Sequence, residues 1–357
     1  MAANLTSMSE YEEYAKEMLP KAFFEFVSQG TGHQDTLRNN LKSYKRYRIL
    51  PRYLRNVEER TMSRTILGKE VAFPIGLAPT ACQKLANRDG ECAAARAAQD
   101  LNTIYTLSSH SSSTIEEVAE AAPKGRKWLQ FYIFKLRQIS LDIIALAEKL
   151  GFEAIVLTID FAVVGSRDTF KKYDNPLPAH LSLAILKKYL DSGVLRRGEL
   201  SDATADWSYI KWLKSVTKLP IIAKGVLTPE DAILAVEAGV SAVIVSNHGA
   251  RQLDGVPSTI EALPEIINAI GDKVEVYIDG GIRNGTDVYK ALALGARMVF
   301  VGRPIFWGLC HKGEEGVKNV LTLLKNELDK ALALSGCPNV DDISKNNIVH
   351  ESHYSKI

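Results

Sequence analysis

His248 and Arg251 lie three positions apart in SNHGARQLDG. A histidine can take a proton near neutral pH. An arginine can hold a carboxylate through two parallel hydrogen bonds. Together they suit proton abstraction from a substrate that carries a carboxylate. Asp160, in VLTIDFAVVG, could pair with the histidinium and so orient and stabilise His248. Lys224 stands in the largely apolar IIAKG. A lysine there could form a Schiff base, balance a carboxylate, or stabilise negative charge on a cofactor ring, and spacing does not choose among these. Two further segments point to a phosphate. DGGIRNGTD supplies Asp279, Gly280, Gly281, Ile282 and Arg283, and VGRP supplies Gly302 and Arg303. Their glycine N–H groups can approach an anion that the arginines also attract. His33, His180, His311, His350 and His353 lack such neighbours and are read as structural.

These residues need elements to position them. Eight apolar, β-branched runs are predicted strands: Phe73–Ala78, Thr103–Leu107, Trp128–Ile133, Ala154–Ile159, Leu219–Ala223, Ala242–Val245, Val274–Ile278 and Met298–Val301. Runs of this kind suit strands buried on both faces of a parallel sheet. Amphipathic stretches lie between them. Ser113 with Glu116, and Ser258 with Glu261, have capping-box spacing, and Thr228–Pro229 reads as an N-cap with a first-turn proline. Gly151, Gly239 and Gly295 each close a helix about three residues before a strand, in a weak internal repeat. Eight β–helix units without a break predict an α/β fold, a (β/α)8 TIM barrel, with an open doubly wound sheet as the alternative. In such a barrel chemistry gathers at the carboxyl ends of the strands. Polar groups do cluster there: Pro79–Thr80–Ala81, Ser108, Gln130 and Tyr132, Thr158 and Asp160, Lys224, Ser246, Asp279 and Arg303.

The chain is expected to be one domain over 1–357, with a helical N-terminal extension (1–70), the barrel (71–335) and a C-terminal tail (336–357). The extension should close one barrel end or cover the site. Residues 168–206 form a long loop after strand 4, far beyond the ~2–6 residues of an ordinary βα loop, and read as a lid-like insertion. Composition narrows the function. With 44 Lys+Arg against 42 Asp+Glu, the charge of +2 offers no electrostatic case for nucleic acid or an anionic membrane. No apolar run reaches the ~18 residues of a membrane span. The four cysteines have no metal-site spacing and suggest a reducing compartment. The N-terminus is polar and acidic, unlike a secretory signal or a presequence.

On SNHGARQLDG, DGGIRNGTDVYKALALGA and VFVGRPIFWG the chain resembles the FMN-dependent 2-hydroxy-acid oxidases, the glycolate oxidase family, and within it the animal peroxisomal members. The resemblance runs from YEEYAKEMLPK to LALSGC. It implies FMN as cofactor, lined by Pro79, Thr80, Ala81, Ser108, Gln130, Thr158 and Ser246. Lys224 would lie near flavin N1 and O2. Asp279, Gly280, Gly281, Ile282 and Arg283, with Gly302 and Arg303, would hold ribityl chain and phosphate. His248 matches the catalytic base and Asp160 its charge partner. Arg167 and Arg251 match the carboxylate-binding arginines, and Tyr132 the tyrosine that hydrogen-bonds the substrate. The implied reaction takes an (S)-2-hydroxy acid to the 2-oxo acid and oxygen to hydrogen peroxide. No metal is implied.

Three positions depart from the glycolate-specific pattern. Phe26 stands where those members have a tyrosine, His110 where they have a tryptophan, and IDFAVVG where they have VDTPVLG. A substrate larger than glycolate is therefore expected. The chain ends in Ser355–Lys356–Ile357, which is similar to the peroxisomal address Ser-Lys-Leu and matches the ending of the animal relatives. Peroxisomal residence and an import receptor as partner are expected, and the resemblance implies a homotetramer. The rivals are a dehydrogenase of the same fold with a quinone or cytochrome acceptor, and a flavin-holding protein without turnover.

Overall fold

Apolar runs that bury both faces pair in parallel, and here they close on themselves. The computed structural model describes residues 5–167, 172–173, 178, 181–196 and 200–356. In chain order the extension holds α1 (Met8–Met18), α2 (Lys21–Ser28), α3 (Asp35–Lys42) and the short strands β1 (Tyr47–Ile49), β2 (Arg64–Ile66) and β3 (Lys69–Val71). The barrel follows as β4 (Ile75–Leu77), α4 (Gly90–Asp100), β5 (Ile104–Ser108), α5 (Ile115–Ala121), β6 (Arg126–Tyr132), α6 (Arg137–Lys149) and β7 (Ala154–Thr158). It continues with α7 (Lys187–Asp191), α8 (Ser208–Val216), β8 (Ile221–Val226), α9 (Pro229–Ala238), β9 (Ala242–Val245) and α10 (Thr259–Ile270). It ends with β10 (Glu275–Asp279), α11 (Gly285–Ala293), β11 (Met298–Val301) and α12 (Arg303–Ser335), before β12 (Ile348–His350).

Strands β4 to β11 form one closed parallel barrel in sequence order, which settles the fold as a (β/α)8 TIM barrel over the open sheet. Six of the eight strands are buried at every residue. Two apolar layers result. Outside, the helices pack on the barrel through residues such as Leu107, Leu129, Leu157 and Val243. Inside, Trp128, Tyr277, Met298 and Phe300 fill the axis. Ile66 and Val71 of the β2–β3 hairpin join that inner cluster, and Arg126 donates to the Ile66 carbonyl. The hairpin thus plugs the end where the strands begin.

The helix-closing glycines behave as expected. Gly151, Gly239 and Gly295 have φ of 73°, 92° and 105°, where a side chain would be strained. Thr228 caps α9 with Pro229 in its first turn. Elsewhere the start signals need correction. The box at α5 is Thr114 with Glu117, one residue later than expected, because Ser113 turns inward and donates to Glu91. Ser258 donates to the Glu261 carboxylate but its side chain caps no backbone N–H.

The extension is not wholly helical. β1 pairs antiparallel with β12, so the tail returns to the extension. Strand 5 also sits later than Leu219–Ala223: Lys224 lies within β8, and a register shift follows at Lys224/Val226. Of the 168–206 insertion the described residues include α7. His180 and Ile357 lie outside the described residues. Among the described residues no helix is long and apolar enough to cross a membrane.

Candidate active site

A cavity of about 700 Å3 opens where the barrel strands end, within the ~300–1,000 Å3 usual for small-molecule sites. Its lining includes Pro79, Thr80, Ala81, Ser108, Lys224, Asp279, Gly280, Gly281, Ile282, Arg283, Gly302 and Arg303. It also includes Phe26, His110, Tyr132, Arg167, His248 and Arg251. Gln130, Thr158, Ser246 and Asp160 do not line it but support or neighbour residues that do.

His248 Nδ1 lies 3.0 Å from Asp160 Oδ1. Burial favours a neutral Asp160, but the His248 imidazole and the Lys224 ammonium outweigh it and hold the carboxyl below its ordinary range. The ring nitrogen facing a carboxylate must carry the proton, which leaves Nε2 as the acceptor. The Lys224 ammonium sits 3.0 Å from Asp279 Oδ2 and donates to Ser246 Oγ at 2.9 Å. Gln130 Nε2 donates to Thr158 Oγ1 at 2.9 Å. Gln130 Oε1 and Asp279 Oδ1 are buried with no hydrogen-bond partner among the described residues.

Positive charge collects along one wall. Arg251 and Arg303 reach the end of α2, both donating to the carbonyls of Val27 and Gln29. Among the described residues neither donates to a carboxylate there. Burial, aided by Arg167 and Arg303, pulls the Arg251 guanidinium well below its usual range, and burial with Arg283 nearby brings Arg303 to about 10. Burial likewise lowers Arg167 to about 10. Guanidinium groups crowded out of water favour a bound anion. Arg167 and Arg251 both stand over the Phe26 ring, 5.3 and 5.4 Å from its centroid. Phe26 therefore braces the two arginines by cation–π contact.

Opposite lies an aromatic group. Tyr132 is 4.5 Å from His110 and 4.3 Å from Phe161, centroid to centroid, and its ring is parallel to that of His248. Burial raises the Tyr132 hydroxyl above its ordinary range, so it stays a donor. Burial, with His248 and Arg167 adding repulsion, pushes His110 down to about 3, so it is neutral at physiological pH.

The residues matched to a family model span 15–350, and that model is described as FMN-dependent dehydrogenase. The chain belongs to the FMN-dependent dehydrogenase family. Human 2-hydroxyacid oxidase 1 is 45% identical, with 97% of this chain and 96% of that one covered. The peroxisomal (S)-2-hydroxyacid oxidase GLO4 of Arabidopsis thaliana is also 45% identical, over 99% of this chain and 98% of its own. Among solved structures, mandelate oxidase with benzoyl-formic acid superposes with a TM-score of 0.89 at 38% identity, covering 97% of this chain and 98% of its own.

The cofactor of the family is FMN, and the cavity fits it. Asp279 Oδ1, on the cavity wall and without a hydrogen-bond partner among the described residues, suits a hydroxyl of the ribityl chain, since buried acceptors are ordinarily satisfied. Gly280 and Gly281, at φ of 93° and 81°, take a backbone path open to glycine at little cost, and Arg283 and Arg303 stand beside them.

Several lining residues escaped the sequence reading. Leu181, Leu183 and Leu200 come from the insertion, where no period marks which leucines turn inward. Gln252 ties Asp160 and Val163 through their carbonyls and accepts from Gly165 N–H. Glu91 was also missed. Buried on α4, it accepts from Gln83 N–H, Ser112 N–H and the Ser112 and Ser113 hydroxyls. It thereby joins the loops after β4 and β5 that carry Thr80 and His110. A lone glutamate in a helix pattern gives no sign of this.

Proposed function

We propose that this FMN-dependent 2-hydroxy-acid oxidase acts on an (S)-2-hydroxy acid with a side chain larger than that of glycolate. The observation that carries the reading is one cavity shared by His248, which Asp160 backs at 3.0 Å, the Arg167 and Arg251 guanidinium groups, and a wall of apolar and aromatic side chains. Arg167 and Arg251 bind the substrate carboxylate, and Tyr132 donates a hydrogen bond to the bound substrate. His248 Nε2 takes the proton that the substrate releases, and Asp160 stabilises the imidazolium. FMN, held by Asp279–Arg283 with Gly302 and Arg303, would supply the two-electron acceptor beside substrate C2, so that the two electrons and two protons lost by the hydroxy acid end on oxygen as hydrogen peroxide. Lys224 supplies positive charge beside Ser246 and Asp279. Holding the reacting atoms in register supplies several kcal/mol of the barrier reduction, on the order of what positioning gives elsewhere.

The preference for bulk rests on the substrate side of the cavity. Val164, Leu181, Leu183 and Leu200 line it with Phe161 and the neutral His110. Phe26 braces arginines and offers the carboxylate no hydroxyl. The similar mandelate oxidase accommodates benzoyl-formic acid, an aromatic 2-oxo acid. A kcat/KM panel from glycolate to long-chain and aromatic 2-hydroxy acids tests this. Higher values on the larger acids are expected, with peroxide and 2-oxo acid formed one for one. Glycolate giving the highest value would overturn the size preference, and 2-oxo acid without peroxide would point to another electron acceptor.

The further reading places the protein in the peroxisome, carried there by the import receptor that binds Ser355–Lys356–Ile357. Glu351–Tyr354, just before this tripeptide, are exposed, as receptor access requires. A homotetramer completes the proposal on the strength of the family resemblance.

A further inference from the structure

His248, Gly249 and Ala250 have φ of 58°, 62° and 63°. Three successive residues in the left-handed region are uncommon, and a side chain is strained there. Such a turn persists only where its surroundings over-determine it. Its hydrogen bonds show what does so. Ala250 N–H donates to both the carbonyl and the side-chain Oδ1 of Asn247. The Ala250 carbonyl accepts from Thr31 N–H, and the Gly249 carbonyl from Arg303. Asn247 is itself held by Asn40 of α3: each amide donates to the other, at 2.9 and 2.8 Å, and both side chains are buried. Asn247 Nδ2 also reaches the Pro257 carbonyl, and Asn40 Oδ1 accepts from Thr259 N–H. α3 grips the same loop at its other end, where Asp254 accepts from Thr36 N–H and Gly255 N–H donates to Thr36 Oγ1.

We propose that Asn40 is a positioning residue for His248: through the reciprocal amide pair with Asn247 it holds the left-handed 248–250 turn that aims the imidazole at the substrate. The inference rests on His248 being the base. The pair is a two-way lock. Asn247 Oδ1 accepts from Asn40 and Ala250 together, and the Asn40 amide both donates to it and accepts from Asn247 Nδ2, which a carboxylate of the same shape cannot do. The extension, which touches no reacting atom through Asn40, thereby fixes the geometry of the reaction. A misplacement of about 1 Å in such a group costs roughly a hundredfold in rate.

The test uses the full-length holoenzyme and its apoprotein. Asn40→Ser removes the reach of the amide, and Asn40→Asp keeps the shape but cannot donate to Asn247. Met8→Ala serves as the control, since it removes a buried side chain from α1, which packs on α12 rather than on this turn. Hydrogen exchange of the 246–252 peptide in the apoprotein should accelerate in both Asn40 variants and not in Met8→Ala. In the holoenzymes at saturating FMN kcat should fall by about ten- to a hundredfold, and the isotope effect with 2-deuterated substrate should rise. Exchange at the parent's rate in both Asn40 variants would overturn the proposal, and so would a kcat loss no greater than that of Met8→Ala at matched melting temperature. His248→Asn separates this from the reading beneath it. If that variant stays active, the assignment of the base fails. If it is inactive while the Asn40 variants behave as the parent, only the positioning role fails.

Discussion

On the proposed reading the His248 imidazole and the Arg167 and Arg251 guanidinium groups carry the reaction. His248→Asn should retain FMN, because it removes an imidazole and no flavin-lining backbone, and lower kcat by about 10²–10⁴, the usual worth of a general base. Rapid-kinetic turnover beside the flavin absorbance checks both. Arg251→Met should act chiefly on KM, since a hydrogen bond to a charged group contributes about 1.5–3 kcal/mol. The neutral His110 gives a pH prediction. Unfolded, a histidine titrates near 6.5; folded, His110 titrates at about 3. Between those values the unfolded chain binds a proton that the folded protein does not. Stability therefore falls as pH drops from about 6.5 toward 3. His110→Phe should flatten that part of the melting-temperature profile, and an unchanged slope would contradict it. Residue chemistry was largely legible in the sequence where the motif was long. SNHGARQLDG presented both groups, and the fold brought Asp160 to the histidine from 88 residues away. Asn40 carried no such signal, because its meaning lies in a partner 207 residues distant.

At the scale of elements, the barrel was readable because strands buried on both faces leave unbroken apolar runs. Boundaries were less so. Lys224 belongs inside β8 because a parallel neighbour continues past it, and only the partner strand shows that. The α5 start shifted by one residue because the buried Glu91 claims Ser113. The short strands of the extension were missed, since three-residue strands leave no period to find. Glu91 yields its own prediction. Glu91→Leu would strand the N–H groups of Gln83 and Ser112, each at about 1–3 kcal/mol. Denaturant unfolding should show a loss of that order, with looser FMN binding because the two loops line its cavity. A stability equal to the parent's would contradict the role of this carboxylate.

Over the whole molecule, the extension works at both ends of the barrel. Its hairpin fills the end where the strands begin, and α2 and α3 meet the loops at the end where they finish. The tail pairs with β1 and ends in the Ser355–Lys356–Ile357 tripeptide. Deleting that tripeptide should leave turnover intact and abolish peroxisomal import, seen by fractionation; import at the parent's level would contradict the address. Light scattering should give the mass of four chains, and a monomer would refute the assembly. The proposed function requires one cavity to hold FMN beside a base and a carboxylate clamp, with room for a bulky 2-hydroxy acid. Anaerobic mixing of the yellow protein with (S)-2-hydroxy acids of increasing size tests it most directly. Complete loss of the flavin absorbance is expected, with larger acids acting at lower concentration than glycolate. Persistent colour with every acid, or glycolate as the strongest reductant, would contradict it.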